Sequence, residues 1–311
     1  MTAMHCDEPS WRARQRAHRE RVARWTQPHR QRRRHGLKHP VLDFLFTYYG
    51  FRPSLLERWH PGPGVVLGGQ ADEFLRWPGY LRVEAGVCFD PASLPAGRRA
   101  NAEFVRTLLR ATETRRPQLG CFGLHEWAMV YRTDAPRHQQ LPLRLGEAGT
   151  NAVVETHALR CTHHDAFRFF TDSARPRNAI ALTRTDQLAF EQPGCLHTTM
   201  DLYKWAYKLA PATPSELVAD CFELAMEVRE LDMRASPYDL SSLGYPPVCV
   251  ETAAGRAEYA RIQARFAARA QPLRARLIEI AEQVAAPAQP IPVSITDSVL
   301  PGAESMPALV I

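Results

Sequence analysis

Lysine is almost missing from this chain of 311 residues: Lys38, Lys204 and Lys208 stand against 36 arginines. With abundant Ala and Pro, that bias points to GC-rich bacterial coding. No run approaches the roughly 18 apolar residues of a membrane helix, so no membrane partner is expected. The first 35 residues hold no apolar leader segment. Seven cysteines, odd in number and widely spaced without a C-x-x-C pair, fit reduced cytoplasmic thiols better than a disulfide framework or a structural zinc site. Also missing are G-x-x-x-x-G-K-[ST], G-x-G-x-x-G after a strand, and G-x-S-x-G. Those absences argue against P-loop ATP hydrolysis, dinucleotide binding and α/β-hydrolase chemistry. What is present, 45% hydrophobic and 23% charged residues, is the composition of a folded protein.

Positive charge is concentrated at the start. Residues 11–34 carry ten Arg against Glu20 alone, and the rest of the chain is close to neutral. Trp11 to Gln27 reads as a helix with Ser10 as N-cap and Pro28 as stop. An Arg-rich arm with interleaved Trp can hold phosphates and stack on bases, which makes DNA a candidate partner. The alternative is a helix that docks its two Trp on the body of the protein.

Beyond the arm the pattern is mostly helical. Val41–Tyr49 is apolar and aromatic enough to be core. Residues 65–100 read as loop with one small hairpin. Ala100–Thr114 is amphipathic, with Phe104, Leu108 and Ala111 on one face. Val153–Cys161 alternates as a strand does, without excluding a helix. Thr162 to Asp165 has the form of a capping box. Thr198-Thr199 caps a helix to Leu209, Thr213-Pro214 opens one to about Met233, and Glu251–Gln283 is a helix or pair broken near Pro272. The expected fold is a mainly α, multi-helix single domain with at most a few short strands. Its parts are an N-terminal helical arm (1–36), a helical catalytic domain (37–284) and a flexible Pro-rich tail (285–311).

Polar groups inside apolar runs carry the chemistry, because burying them is costly unless they are paired. His39/Asp43, His125/Glu126, His163/His164/Asp165 and His197/Asp201 each sit in or open such a run. The simplest partners for these groups are one another. Convergence of His39, His125, His163 and His197 with Glu126 and Asp201 would make a metal site between helices, suited to iron or zinc. The alternative assigns each His to a cap or a core hydrogen bond. Lys204 and Lys208, four apart with Asp201 one turn earlier, suggest a lysine kept for its chemistry. The acids Asp220, Glu223, Glu227 and Glu230 form one helical stripe, read as its solvated side. Asp232 just beyond is the preferred catalytic carboxylate, and Cys195 is the one thiol worth testing as a nucleophile.

Five segments, HPVLDFLFTYYGFRP (39–53), GCFGLHEWAMVYR (120–132), HHDAFRFFT (163–171), EQPGCLHTTMDLYKWAYKLAP (191–211) and SELVADCFELAMEVRELDMRASPYDL (215–240), resemble a group of actinobacterial and related proteins. That group is commonly labelled 3-methyladenine DNA glycosylase. The resemblance spans about residues 10–280 and implies hydrolysis of the N-glycosidic bond of an alkylated purine in DNA. Such chemistry needs a flipped base between aromatic faces and a carboxylate. Tyr48, Tyr49, Trp127, Trp205 and Tyr238 can supply the faces, Arg168 a further substrate contact, Asp232 or Glu126 the carboxylate, and Lys204 a contact to phosphate or sugar. No helix–hairpin–helix signature and no HEAT-like repeat is present, so no catalytic residue is carried across by motif. Beside this glycosylase expectation stand a metal-dependent oxidase or hydrolase and a non-catalytic nucleic-acid-binding protein.

Overall fold

A computed structural model describes residues 3–286 and the pair 295–296. The expected Pro-rich tail therefore lies, beyond residue 286 and apart from 295–296, outside the described residues. The chain is mainly α, as expected. Its helices are α1 (Glu8–Arg34), α2 (Phe44–Tyr48), α3 (Pro53–Leu56), α4 (Ala96–Glu113), α5 (Leu124–Ala128), α6 (Gly146–Thr156), α7 (His164–Phe167), α8 (Gln187–Phe190), α9 (Leu196–Leu209), α10 (Ser215–Arg234) and α11 (Ala253–Ala285). Strands β1 (Ala3–Cys6), β2 (Val65–Leu67), β3 (Tyr80–Val83), β4 (Gly86–Phe89) and β5 (Ile295–Thr296) form one small sheet in the order β3-β4-β2-β1-β5. The expected hairpin is β3–β4. The parallel pairing of β1 with β2, Met4 opposite Val65, ties the N-terminus into the sheet.

The Arg-rich helix docks on the body. Its buried residues Trp11, Gln15, His18, Val22, Thr26 and His29 recur every three or four positions and make one stripe. Four of those six are polar and each finds a partner: Gln15 donates to Glu73 at 3.3 Å, His18 reaches the Leu56 carbonyl at 2.8 Å, Thr26 donates to Glu57 at 2.6 Å and His29 reaches Asp43 at 2.8 Å, while the Trp11 indole donates to the Gly68 carbonyl at 3.0 Å. The arginines flanking the stripe are spent on acids. Arg21 holds Asp220 and Glu223, Arg24 holds Glu223, Arg14 holds Glu216, and Arg32 holds Asp43. The acidic stripe of α10 is thus not a plain solvated face, since it meets α1 on one flank and Arg269 and Arg276 of α11 on the other.

Several local expectations fail for identifiable reasons. Pro28 and Pro272 end nothing, and α1 and α11 run through them. Each proline costs the helix one N–H, but burial along both sides of the break outweighs a defect of about 3 kcal/mol. The N-cap of α1 is Asp7, which accepts from the Ser10 amide, rather than Ser10 itself. Of Val153–Cys161, read as a strand with a helix left open, the first four residues end a helix over 146–156 and the rest lie outside helix and strand. On α4 the buried face is Ala102, Val105, Leu108, Leu109 and Thr112, whereas Phe104 is 40% exposed. Phe104 meets the edge of Trp205 at 6.0 Å instead. The threonines expected to cap α9 lie inside its first turns, and Cys195 is the N-cap. Thr162 does not cap α7, which begins after His163.

The centre of the molecule is α9. It is buried on nearly all sides, with α10 along one flank and α11, which also covers α4, along another. A helix buried all round needs every polar group on it to find a partner, and α9 carries His197, Asp201 and Lys204.

Two outcomes follow from this packing. Replacing Trp11 by Ala is expected to cost about 3–5 kcal/mol in urea unfolding, the price of emptying a large core site, because α1 belongs to the core; an exposed arm would give a change near zero. The second concerns His60, whose ring lies 3.1 Å from the Tyr80 hydroxyl. Burial, aided by Arg58, pushes this imidazole down from 6.5 to about 4. Between those values the unfolded chain takes up a proton that the folded one refuses, so stability is full above pH 6.5 and falls as pH drops toward 4. The full loss is about 3 kcal/mol. His60→Gln is expected to flatten that part of the pH profile of the unfolding midpoint.

Candidate functional site

Five elements bring polar side chains to one point in the interior. Helix α5 brings His125 and Glu126, and His163 stands just ahead of α7. Helix α9 brings His197, Asp201 and Lys204, α10 brings Arg229 and Asp232, and Glu191 follows α8. About one helical turn separates His197 from Asp201, Asp201 from Lys204, and Arg229 from Asp232, so each helix presents its pair on a single face. The entry to α5 is strained. Phe122 has φ 50° and Gly123 φ 73°, and a bulky side chain in the left-handed region costs about 1–3 kcal/mol. A Cβ on Gly123 would come within 3.2 Å of the Tyr259 ring and 3.3 Å of Ala235, so this tight turn seats α5 against α10 and α11.

The polar groups form two adjoining sets. In the first, Asp232 is met by His125 Nε2 at 2.8 Å and by Arg229 Nη1 at 2.7 Å, and the same arginine nitrogen reaches Glu126 at 2.9 Å. In the second, Asp201 accepts from Lys204 Nζ and from the Tyr49 hydroxyl, both at 2.9 Å, while Lys204 also reaches Asp165 at 3.2 Å. His163 Nε2 is 3.3 Å from Glu191 and 3.4 Å from Asp201. Neither approach has hydrogen-bond direction, and both ring nitrogens are buried without a partner. His197 lies between the sets, 4.6 Å from the His125 ring and stacked 5.3 Å from the His163 ring. The ligating atoms of His125, His197 and Asp232 all lie within 4.8 Å of one another, and so do those of His163, Glu191 and Asp201.

Charge balance defines the character of the cluster. Glu126, Asp232, Glu191 and Asp201 are buried carboxylates, and Arg229 and Lys204 are the cations paired with them. Two positive charges are missing, and protons or a divalent ion can supply them. Burial alone would lower His125, but Asp232 outweighs it and holds the imidazole well above its ordinary range. Burial likewise opposes His163, which Glu191 and Asp201 hold up. Burial raises Glu126, with Asp232 adding to it, and burial also raises Glu191. Against burial, Lys204 and His163 keep Asp201 ionised, and His125 and Arg229 keep Asp232 ionised. His197 is the opposite case: burial, then the neighbouring His125, push it well below its ordinary value, so it is neutral.

A cavity of about 220 Å³ opens onto the cluster. Phe44, Tyr48 and Phe169 are aromatic walls, and Glu126, His197 and Arg229 present polar groups to it. Of the three converging imidazoles, His197 is the one among its lining residues; of the first-set carboxylates, that residue is Glu126 and not Asp232. Asp232 is positioned to orient His125 and Arg229 from behind.

The other expected residues divide clearly. His39 does not join the cluster. Its Nδ1 accepts from the Val41 and Leu42 amides, while Asp43 is taken by Arg32 and His29 at the end of α1. Trp127 is fully buried and its indole donates to the Ala235 carbonyl at 2.9 Å. Tyr238 packs under His138, and Trp205 lies beneath Lys204 and Lys208. Neither Trp127, Tyr238 nor Trp205 lines the cavity. Tyr49 acts on Asp201 rather than on the cavity. Arg168 lies at the rim, 3.4 Å from Asp165 and over the Phe169 ring. Against the burial that would lower it, Asp201 and Asp165 hold the Lys204 ammonium above its ordinary range. Burial pushes the Cys195 thiol up to about 12, so it is not a ready thiolate either. Two members escaped the sequence reading. Glu191 opens a Pro-Gly segment that looks like loop, and Arg229 is one arginine among 36; its position one turn before Asp232 was the available signal.

Compared with protein-family models, curated proteins and solved structures, the chain finds no match in any of the three.

Replacing Arg229 by Met leaves Glu126 and Asp232 buried without their counter-ion, and a loss of about 3–5 kcal/mol is expected in urea unfolding. Lys208→Arg, on the exposed side of α9, is expected to stay within about 0.5 kcal/mol of the parent.

Proposed function

We propose that this chain is an enzyme that binds a divalent metal in the cluster around His125, His163 and His197 and acts on a substrate held in the adjoining aromatic cavity. One observation carries this: four buried carboxylates and three imidazoles face only two fixed cations, and His163 has both ring nitrogens unused. Imidazole and carboxylate together suit zinc or iron. Two donor sets would hold such an ion, His125, His197 and Asp232 in one and His163, Glu191 and Asp201 in the other. A bound ion supplies a polarising positive charge and an acidic water. The chain's own groups do the rest. Arg229 fixes Glu126 at the cavity wall, Lys204 and Tyr49 fix Asp201, and Phe44 and Tyr48 exclude water from one side of the substrate.

A second reading, N-glycosidic hydrolysis of an alkylated purine in DNA, is favoured by the cavity itself. Its aromatic walls suit a cationic planar base, and Glu126 is a carboxylate facing them. Support from the N-terminal helix is weaker, since most of its cationic groups are paired with acids. Arg16, Arg19, Arg33 and Arg34 are the exposed ones without an acidic partner among the described residues.

Metal analysis of protein purified without added metal is expected to find near-stoichiometric zinc or iron. Loss of it in His197→Ala and Asp201→Asn should be accompanied by a lower unfolding midpoint, because an ion at a hundredfold excess over its dissociation constant stabilises by about 2.7 kcal/mol. Metal-free protein whose midpoint ignores added zinc, iron and manganese overturns the metal reading. If such protein releases free base from methylated DNA, and Glu126→Gln does not, the glycosylase reading stands in its place.

A further inference from the structure

Two arginines are buried to about 1% exposure, Arg229 and Arg274. Arg229 is held by two carboxylates. Arg274, in the middle of α11, has none: its Nε and Nη2 are buried without a hydrogen-bond partner, and no ion pair within the described residues includes it. Glu113 and Glu191 act on it from beyond ion-pair distance; a guanidinium taken out of water without a paired carboxylate is costly, and an exception of this kind calls for a missing partner.

The place where that partner fits is a cleft of about 510 Å³ bounded by Arg274, Arg115 and Glu113, with Pro117, Pro193 and Pro272 as walls. Its charge is positive on balance. Arg115 is fixed by the carbonyls of Glu191 at 2.7 Å and Leu188 at 2.5 Å, which orient its guanidinium and leave its charge unbalanced. Glu113 lies 3.5 Å from Arg110 on its own helix. The three prolines offer no N–H to a ligand and make a stiff apolar surface.

The geometry points to an oxyanion site: the cleft takes a small organic anion, a carboxylate or a phosphate ester, whose head group pairs with Arg274 while its body lies against the prolines. A head group with two oxygens matches the fork of a guanidinium. The Nε–Nη2 edge is covered in this structure, so seating the anion includes turning that edge toward the cleft. The site is separate from the aromatic cavity and does not rest on the metal reading. It backs onto the segment that delivers Glu191, through Arg115.

Thermal unfolding tests it in two conditions. With chloride as the only anion, Arg274→Met is expected to melt at or above the wild-type temperature, because an unpaired buried charge has been replaced by an apolar chain. Saturating inorganic phosphate or acetate is expected to raise the wild-type midpoint by several degrees, to leave Arg274→Met unmoved, and to act on Arg115→Gln with about tenfold weaker affinity. A response to phosphate alone assigns a phosphate ester, and one to acetate alone a carboxylate. A shift no larger than that from sodium chloride at equal ionic strength overturns the proposal, and so does an equal shift in Arg274→Met. If Arg274→Met does not fold, unchanged affinity in Arg115→Gln overturns it.

Discussion

Two positive charges too few among buried side chains is the condition on which the interior of this protein depends. Four carboxylates are buried around His125, His163 and His197, and only Arg229 and Lys204 are fixed cations. A low-dielectric interior does not tolerate that imbalance, so protons must be taken up or a cation bound. The raised His125 and His163 are the proton-bound form of the answer. In the metal reading proposed above, an ion bound here would displace those protons, so its binding would release them. The strained turn at Phe122 and Gly123 and the near-complete burial of α9 serve this centre, because each fixes a helix whose polar pair must meet a partner from another helix.

The cavity and the cluster divide the work between surface and depth. His197, neutral, and Glu126, held by Arg229, are the groups of the two sets that line the cavity. Asp232, His125 and Tyr49 act through those groups by holding their orientation and charge. Such layering places the acid preferred from sequence, Asp232, behind the cavity wall, in contact with His125 and Arg229. Lys204 pairs with Asp201 and Asp165 together.

The sequence is legible wherever burial follows a period. The helices ending at Leu209 and near Met233, the hairpin in 65–100, and the convergence of His125, His163 and His197 with Glu126 and Asp201 were all accessible, because apolar runs announce their own burial and a polar group inside one must be paired. It is less legible where long-range packing overrides a local signal. Pro28 and Pro272 look like helix ends, Thr162 and Thr198 look like caps, and Phe104 looks like core. Each was outvoted by contacts that no short window contains.

What the sequence determined by itself is which segments are buried and which ionisable groups they carry down with them; this follows from transfer free energies and helical spacing alone. Tertiary structure decided the pairings. Whether the Arg-rich helix faces solvent or the acids of α10, whether His39 joins His125 or caps its own turn, and whether Asp232 meets His125 or water depend on how helices far apart in the chain cross. Arg229 shows the difference most sharply beside Arg274: the same residue type, equally buried, is satisfied in one place and unsatisfied in the other, because only the path of neighbouring helices brings a carboxylate within reach.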